Sequence, residues 1–113
     1  MHELGIVYEV INIVDRFVKE NKLTKVQKIV LEVGQLSQAI PRFLEECYPA
    51  AVNETAYEDT KLEINVLPAN AKCRVCHEVY NVIDHRKICP RCYREEYELI
   101  SGQEFNIKEI IAY

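Results

Sequence analysis

Near the start of the chain apolar residues recur at helical spacing, at Leu4, Val7, Ile11, Val14 and Val18, with Ile6, Val10, Ile13 and Phe17 beside them. That period predicts a helix over 3–20 with a stripe wide enough to pack on a sheet and leave some surplus for a partner. Glu3 complements the positive end of its dipole, and Asn21 and Lys22 close it. From Lys25 to Val33 the pattern changes to alternation, Ile29, Leu31 and Val33 on one face and Lys28 and Glu32 on the other, which predicts a half-buried strand ended by Gly34. A second helix is expected from about Ala39, because Pro41 suits a first turn, where its missing donor has no partner to lose. Pro49 should cost that helix its bond to the Glu45 carbonyl, so a kink or break is expected near Tyr48. Lys61 to Leu67 alternates again, with Leu62, Ile64 and Val66 inward, until Pro68 stops it. Glu104 to Ala112 supplies a third strand, in which the step from Ile107 to Ile110 breaks alternation and predicts a bulge or a change of burial. This order predicts an α+β fold: two helices on a three-stranded mixed sheet, with a further lobe inserted before the last strand.

Composition narrows the class. A chain of 113 residues holds one core and a small appendage. No stretch approaches the ~20 apolar residues of a membrane span, and no basic-then-apolar leader opens the chain, so a cytoplasmic protein without a membrane partner is expected. Fourteen Lys+Arg against eighteen Asp+Glu leave a formal charge of -4, whereas nucleic-acid modules usually carry a basic face. No Ser-His-Asp set, Cys-His nucleophile with an orienting acid or glycine-rich phosphate loop is present, so catalysis is not expected. The wide first helix and the open edges of a three-stranded sheet are compatible with a monomer or a homodimer.

The cysteines carry the chemistry. Cys73-Arg74-Val75-Cys76 and Cys89-Pro90-Arg91-Cys92 are two Cys-x-x-Cys pairs twelve residues apart, each able to present two thiolates from one tight turn. Four such ligands suit a closed tetrahedral zinc site, with a two-stranded ribbon joining the knuckles. A rubredoxin-like iron site would use the same thiolates, whereas a redox dithiol needs a βαβ setting that is missing. Val79, Tyr80, Val82 and Ile83 are too few for an independent core of about thirty residues, so the lobe is expected to depend on its metal. Between residues 70 and 100, Lys72, Arg74, Arg86, Lys87, Arg91 and Arg94 are balanced by Glu78, Asp84, Glu95, Glu96 and Glu98, which argues against a phosphate grip. His77 could exchange onto the metal, His85 is expected at the ribbon tip, and Cys47 reads as a small buried residue on a helix. At the other end, Met1-His2-Glu3 places an amine, an amide and an imidazole along one short piece of backbone. Three nitrogens in a plane favour Ni(II) or Cu(II).

Taken together, Met1-His2-Glu3-Leu4, the run Glu32-Val33-Gly34-Gln35-Leu36-Ser37 and the paired knuckles ending in Cys89-Pro90-Arg91-Cys92 resemble the HypA/HybF family of hydrogenase nickel-incorporation proteins. Thr55 to Ile64 and Gly102-Gln103-Glu104 extend the likeness nearly end to end. The resemblance implies a nickel-binding α/β lobe of residues 1–69 and 102–113 and a zinc-ribbon lobe of residues 70–101. It implies that Met1, His2 and Glu3 form or support the nickel site and that Cys73, Cys76, Cys89 and Cys92 hold structural zinc, with nickel as transferred cargo. The implied partners are the GTPase HypB, the precursor of the [NiFe]-hydrogenase large subunit and, in some organisms, the urease maturation proteins. A zinc-ribbon adaptor that binds protein partners and uses no second metal is the alternative. The chain departs from the family text at Gln38, at Asp59 and Thr60, and at Tyr93, where glycine is usual after the last cysteine.

Overall fold

The computed structural model describes residues 2–113. Helix α1 runs His2–Glu20 and turns Val7, Val10 and Val14 into the core. It ends in a Schellman motif. Lys22 takes φ 54°, Leu23 N–H donates to Val18 O (2.9 Å) and Lys22 N–H to Lys19 O (3.4 Å), so a lysine holds the left-handed position that glycine usually takes. Asn21 Nδ2 adds a bond to the Phe17 carbonyl (2.9 Å).

Strand β1 (Val26–Gly34) is the spine of the larger sheet, whose order is β2-β1-β6 with β2 (Lys61–Leu67) parallel to it and β6 (Phe105–Ala112) antiparallel. The sheet is therefore mixed, as expected. Leu31 pairs with Ile64 on one side and Ile107 on the other, while the next β1 residue back, Val30, already faces Glu109. Lys108 is thus the extra residue of a bulge, at the step where alternation breaks. Helices α1 and α2 (Pro41–Val52) bury Ile29, Leu31 and Val33 of β1 beneath them, and Leu44 of α2 joins that core. Cys47 joins this core as a small apolar residue. Tyr48 and Thr60 reach inward with satisfied hydroxyls, Tyr48 Oη donating to Thr60 O (2.8 Å) and Thr60 Oγ1 to Val26 O (2.7 Å).

Around the larger sheet, two expectations need correction. Of the kink or break expected near Tyr48, the break is absent: helix α2 continues through Pro49 to Val52. Pro49 lies in the last turn on the exposed side with Glu45, so the carbonyl that loses its partner can turn to water. Val66 does not point into the core; it is 52% exposed, because the core packs on Leu62 and Ile64 of this edge strand and ends short of Val66.

A second, smaller sheet has β3 (Asn70–Cys73) at its centre, flanked antiparallel by β4 (Val79–Asn81) and β5 (Tyr97–Leu99). It replaces the expected two-stranded ribbon. Residues 82–88 form turns, and β5 is too short for alternation to reveal. Ala69, Ala71, Cys73, Tyr80, Val82 and Cys89 make a separate buried cluster there. The molecule is elongated, 54 × 27 × 16 Å, with a radius of gyration of 17.7 Å against about 13 Å for one compact body of about this size.

The two sheets meet where backbone touches backbone. A Cβ on Gly34 would lie 2.1 Å from the Gly102 carbonyl group, and one on Gly102, whose φ is 118°, would lie 2.6 Å from Ala69 Cα. Only glycine fits either place. Gln35, the next residue, spans the junction: its Oε1 accepts from Ala69 N–H (2.8 Å) and from Asn81 Nδ2 (2.9 Å). The Gly34-Gln35 step of the quoted run therefore joins one sheet to the other.

Candidate metal sites

The four cysteines converge. Strand β3 delivers Cys73 at its end, the turn into β4 delivers Cys76, and the turn before β5 delivers Cys89 and Cys92. All four are free thiols whose sulfurs lie within 4.8 Å of one another, with Cys73–Cys92 and Cys76–Cys89 each at 3.5 Å. Tetrahedral zinc with bonds of ~2.3 Å would hold its sulfurs about 3.8 Å apart, so small adjustments would seat the ion. Among the described residues this is the one group of three or more His, Cys, Asp or Glu side chains that could hold a metal.

The knuckles repeat one backbone plan. Cys73 N–H donates to Glu78 O (2.8 Å) and His77 N–H to Cys73 O (3.0 Å); the second knuckle does the same through Cys89 N–H to Arg94 O (2.9 Å) and Tyr93 N–H to Cys89 O (2.9 Å). In each, the residue after the second cysteine is left-handed, His77 at φ 66° and Tyr93 at φ 63°. This explains why glycine suits that place and shows that Tyr93 bears the conformation without it. Tyr93 is also 76% exposed, so its ring contributes little to packing.

Turn amides point at the sulfurs. The Cys76 N–H (3.5 Å), with that of Val75 (3.4 Å), lowers the Cys73 thiol to about 6. Around Cys89 burial acts upward, but amides of Cys92 and Arg91 prevail and the thiol is lowered. Cys92 accepts from the Arg94 amide, which acts downward, yet burial and the three neighbouring thiols push it up to about 12. Four thiols that cannot all ionise together are a set that a bound dication would let ionise, by offsetting part of their charge.

The N-terminal residues lie elsewhere. Met1 is outside the described residues. His2 stands exposed at the first position of α1, with Nε2 2.8 Å from Gln38 O and 3.2 Å from a Glu3 carboxylate oxygen. Glu3 is 6% exposed, a buried carboxylate beside the imidazole. The structure brings His2 and Glu3 together and keeps them apart from the cysteine cluster. His77 is exposed and outside that cluster, and His85 sits in the turn after β4, edge-on to the Tyr80 ring at 6.1 Å. Sequence reasoning counted Tyr80 among the few apolar residues of the lobe but missed the Gln35 clamp and the Tyr80 hydroxyl, unpaired among the described residues. The placement of Gln35 in a run of family text was the only signal for the first, and nothing marked the second.

Fold and site define the class: a small α+β protein with a four-thiol cluster able to hold a metal ion. Two solved structures share the architecture, "Solution structure of the Ni metallochaperone HypA from Helicobacter pylori" (18% identity, TM-score 0.65, 97% of this chain and 96% of that one) and "Solution structure of HypA protein" (21%, TM-score 0.68, 100% and 97%). The family model described as hydrogenase/urease nickel incorporation, metallochaperone, hypA matches residues 1–112. The chain belongs to the HypA family. Among curated relatives it is 36% identical to the hydrogenase maturation factor HypA of Trichodesmium erythraeum (97% of this chain, 94% of that protein) and 32% identical to that of Actinobacillus succinogenes (97% of each). No helix among the described residues is long and apolar enough to cross a membrane.

Proposed function

We propose that this chain is a nickel metallochaperone. It binds Ni(II) at its N-terminus through the Met1 amine, the His2 amide and the His2 imidazole, with Glu3 as support, and helps insert the ion into the large-subunit precursor of a [NiFe]-hydrogenase. The GTPase HypB is its partner, and urease, named in the family description, is a second candidate recipient. Residues 1–69 and 102–113 form the nickel lobe, and residues 70–101 form a lobe held by structural zinc on Cys73, Cys76, Cys89 and Cys92. The protein works in the cytoplasm and delivers metal without catalysing a reaction.

One observation carries the nickel reading: the family match takes in His2, and His2 opens α1 with its Nε2 already engaged at Gln38 O. An Nε2–H bond to that carbonyl leaves the Nδ1 lone pair free, and Nδ1 is the nitrogen that can close a small ring with the residue's own amide. The first amides of a helix have no intrahelical acceptor, so those of His2 and Glu3 are available to a metal at no cost in helix bonds. A planar nitrogen set of this kind suits Ni(II), although Cu(II) would bind it more tightly, so availability and partner must select the cargo.

Calorimetry of the zinc-loaded chain tests the reading. His2→Ala should abolish stoichiometric nickel binding and leave zinc content and circular dichroism unchanged, and an N-terminal tag that turns the amine into an amide should act likewise. Equal nickel affinity in wild type and His2→Ala would overturn it.

A further inference from the structure

The His2 imidazole leans on a main-chain carbonyl. Its Nε2 lies 2.8 Å from Gln38 O and 3.2 Å from a carboxylate oxygen of Glu3. Glu3 is the next residue of α1 and moves with it, so the Gln38 carbonyl is the contact that ties the ring to the chain outside that helix. Where this carbonyl points is settled by few bonds. Residues 35–40 belong to neither β1 nor α2. Gln35 N–H donates to Leu67 O (2.9 Å), Leu36 N–H to Gly102 O (2.7 Å) and Ser37 N–H to Gly34 O (3.0 Å), which pins the chain as far as Ser37. From Ile40 onward it is pinned again, because that carbonyl accepts from Phe43 N–H (3.0 Å) and Leu44 N–H (3.1 Å) at the start of α2.

Between these anchors a side chain closes the turn. Ala39 N–H donates to Ser37 Oγ (3.0 Å), half-buried, and Ala39 is itself 3% exposed. The serine thus reaches across Gln38 to the residue beyond it and fixes how the peptide between them faces. We propose that Ser37 is a positioning residue of the nickel site: its hydroxyl closes the turn that aims the Gln38 carbonyl at His2 Nε2, and so holds the imidazole ready to present Nδ1. A ligand already held in its bound orientation loses less freedom when the ion arrives, so Ser37 raises affinity without touching the metal. The role asks only for an oxygen that accepts two residues ahead; threonine can supply it and alanine cannot. Thr55 makes the same local bond beyond α2, accepting from Tyr57 N–H (3.1 Å), and serves as a matched turn away from His2.

The inference rests on the nickel reading of the N-terminus, and two measurements on the zinc-loaded full chain with a free amine keep the two apart. Carbon relaxation of the His2 ring, read without nickel, should show a more mobile imidazole in Ser37→Ala than in wild type. Nickel affinity by calorimetry should fall about tenfold, the lower end of what loss of an outer-shell partner costs, while the visible absorption of bound Ni(II) keeps its wavelength because the ligands are the same. Ser37→Thr should restore both the relaxation and the affinity, and Thr55→Ala should change neither. Ring relaxation and nickel affinity equal to wild type in Ser37→Ala, with binding still lost in His2→Ala, would overturn the role of Ser37 alone. A weakened affinity with an unchanged His2 ring would overturn it as well, since the effect would then come from elsewhere in the fold. Nickel held as tightly by His2→Ala as by wild type would overturn the nickel reading and this inference with it.

Discussion

The two sheets of this molecule solve the problem of staying folded by different means. The larger one buries fourteen residues in a common cluster, most of them Val, Ile or Leu, under two helices. The smaller one buries six of the described residues, of which two are alanines and two are cysteines, leaving Tyr80 and Val82 as the sizeable buried ones, with Tyr97 and Leu99 packed half-buried against them. Burial at about 25 cal/mol per Å² can hold the first sheet, but the second has too little apolar surface to offset the chain entropy of its residues. The difference teaches where a metal would matter: four cysteines able to hold an ion stand at the end of the molecule that lacks a Val-Ile-Leu core.

The sharpest way to break that comparison is to remove the metal. Zinc binding to small Cys-rich peptides contributes about 10 to 16 kcal/mol, more than this small cluster can replace. Chelation should therefore reduce amide protection across residues 70–101 to that of an unstructured peptide while α1, β1 and β6 keep theirs. Native-like protection in the metal-free small sheet would show that its six-residue cluster suffices. A smaller effect is expected at the junction. Gly34→Ala drives a Cβ into the Gly102 backbone, which cannot yield as a side chain can, and should cost about 3 kcal/mol in urea unfolding. Loss of stability confined to the small sheet would place the strain there and not at the contact with β1.

The smallest effect separates the regions by pH. Asp15 on α1 accepts from Lys19 and from the Tyr57 hydroxyl, and these bonds hold its carboxyl below the usual 3.8. A carboxyl depressed in the folded state stabilises it above the unfolded value, near pH 4, and that contribution fades as pH falls through the folded value. Asp15→Asn should thus lower the unfolding midpoint of the larger core slightly at pH 7, with the gap to wild type closing below about pH 4. A gap independent of pH would mean that packing, not charge, is what Asp15 supplies.

Much of the larger sheet was legible in the chain. Alternation found β1, β2 and β6, and the break after Ile107 marked the bulge at Lys108, because a strand of seven or more residues repeats its period often enough to be seen. The Cys-x-x-Cys spacing brought four sulfurs together for the same reason that a tight turn leaves few geometries open. What escaped was set by neighbours. Strands of three or four residues, such as β4 and β5, form because β3 pairs with both, and the exposure of Val66 depends on where the core ends. Pro49 does not break α2 because it sits in the last turn and the Glu45 carbonyl lies on the exposed side, which one dimension does not reveal. Tyr80 and Gln35 look ordinary in one dimension, and only the fold shows what surrounds them.

The junction turns the small sheet into a closed loop on the larger one. Ser101 Oγ donates to Pro68 O (2.7 Å) and Gly102 presses on Ala69, so the segment from Pro68 to Ser101 leaves and re-enters the larger sheet through a closed mouth. Seen from β2 and β6, everything beyond that mouth is one connecting loop. The entropy of closing a loop grows only with the logarithm of its length, about 0.6 kcal/mol per doubling, so a tied mouth makes the state of the chain beyond it nearly irrelevant to the sheet. The larger core can therefore let its four-cysteine loop melt and reform without itself coming undone.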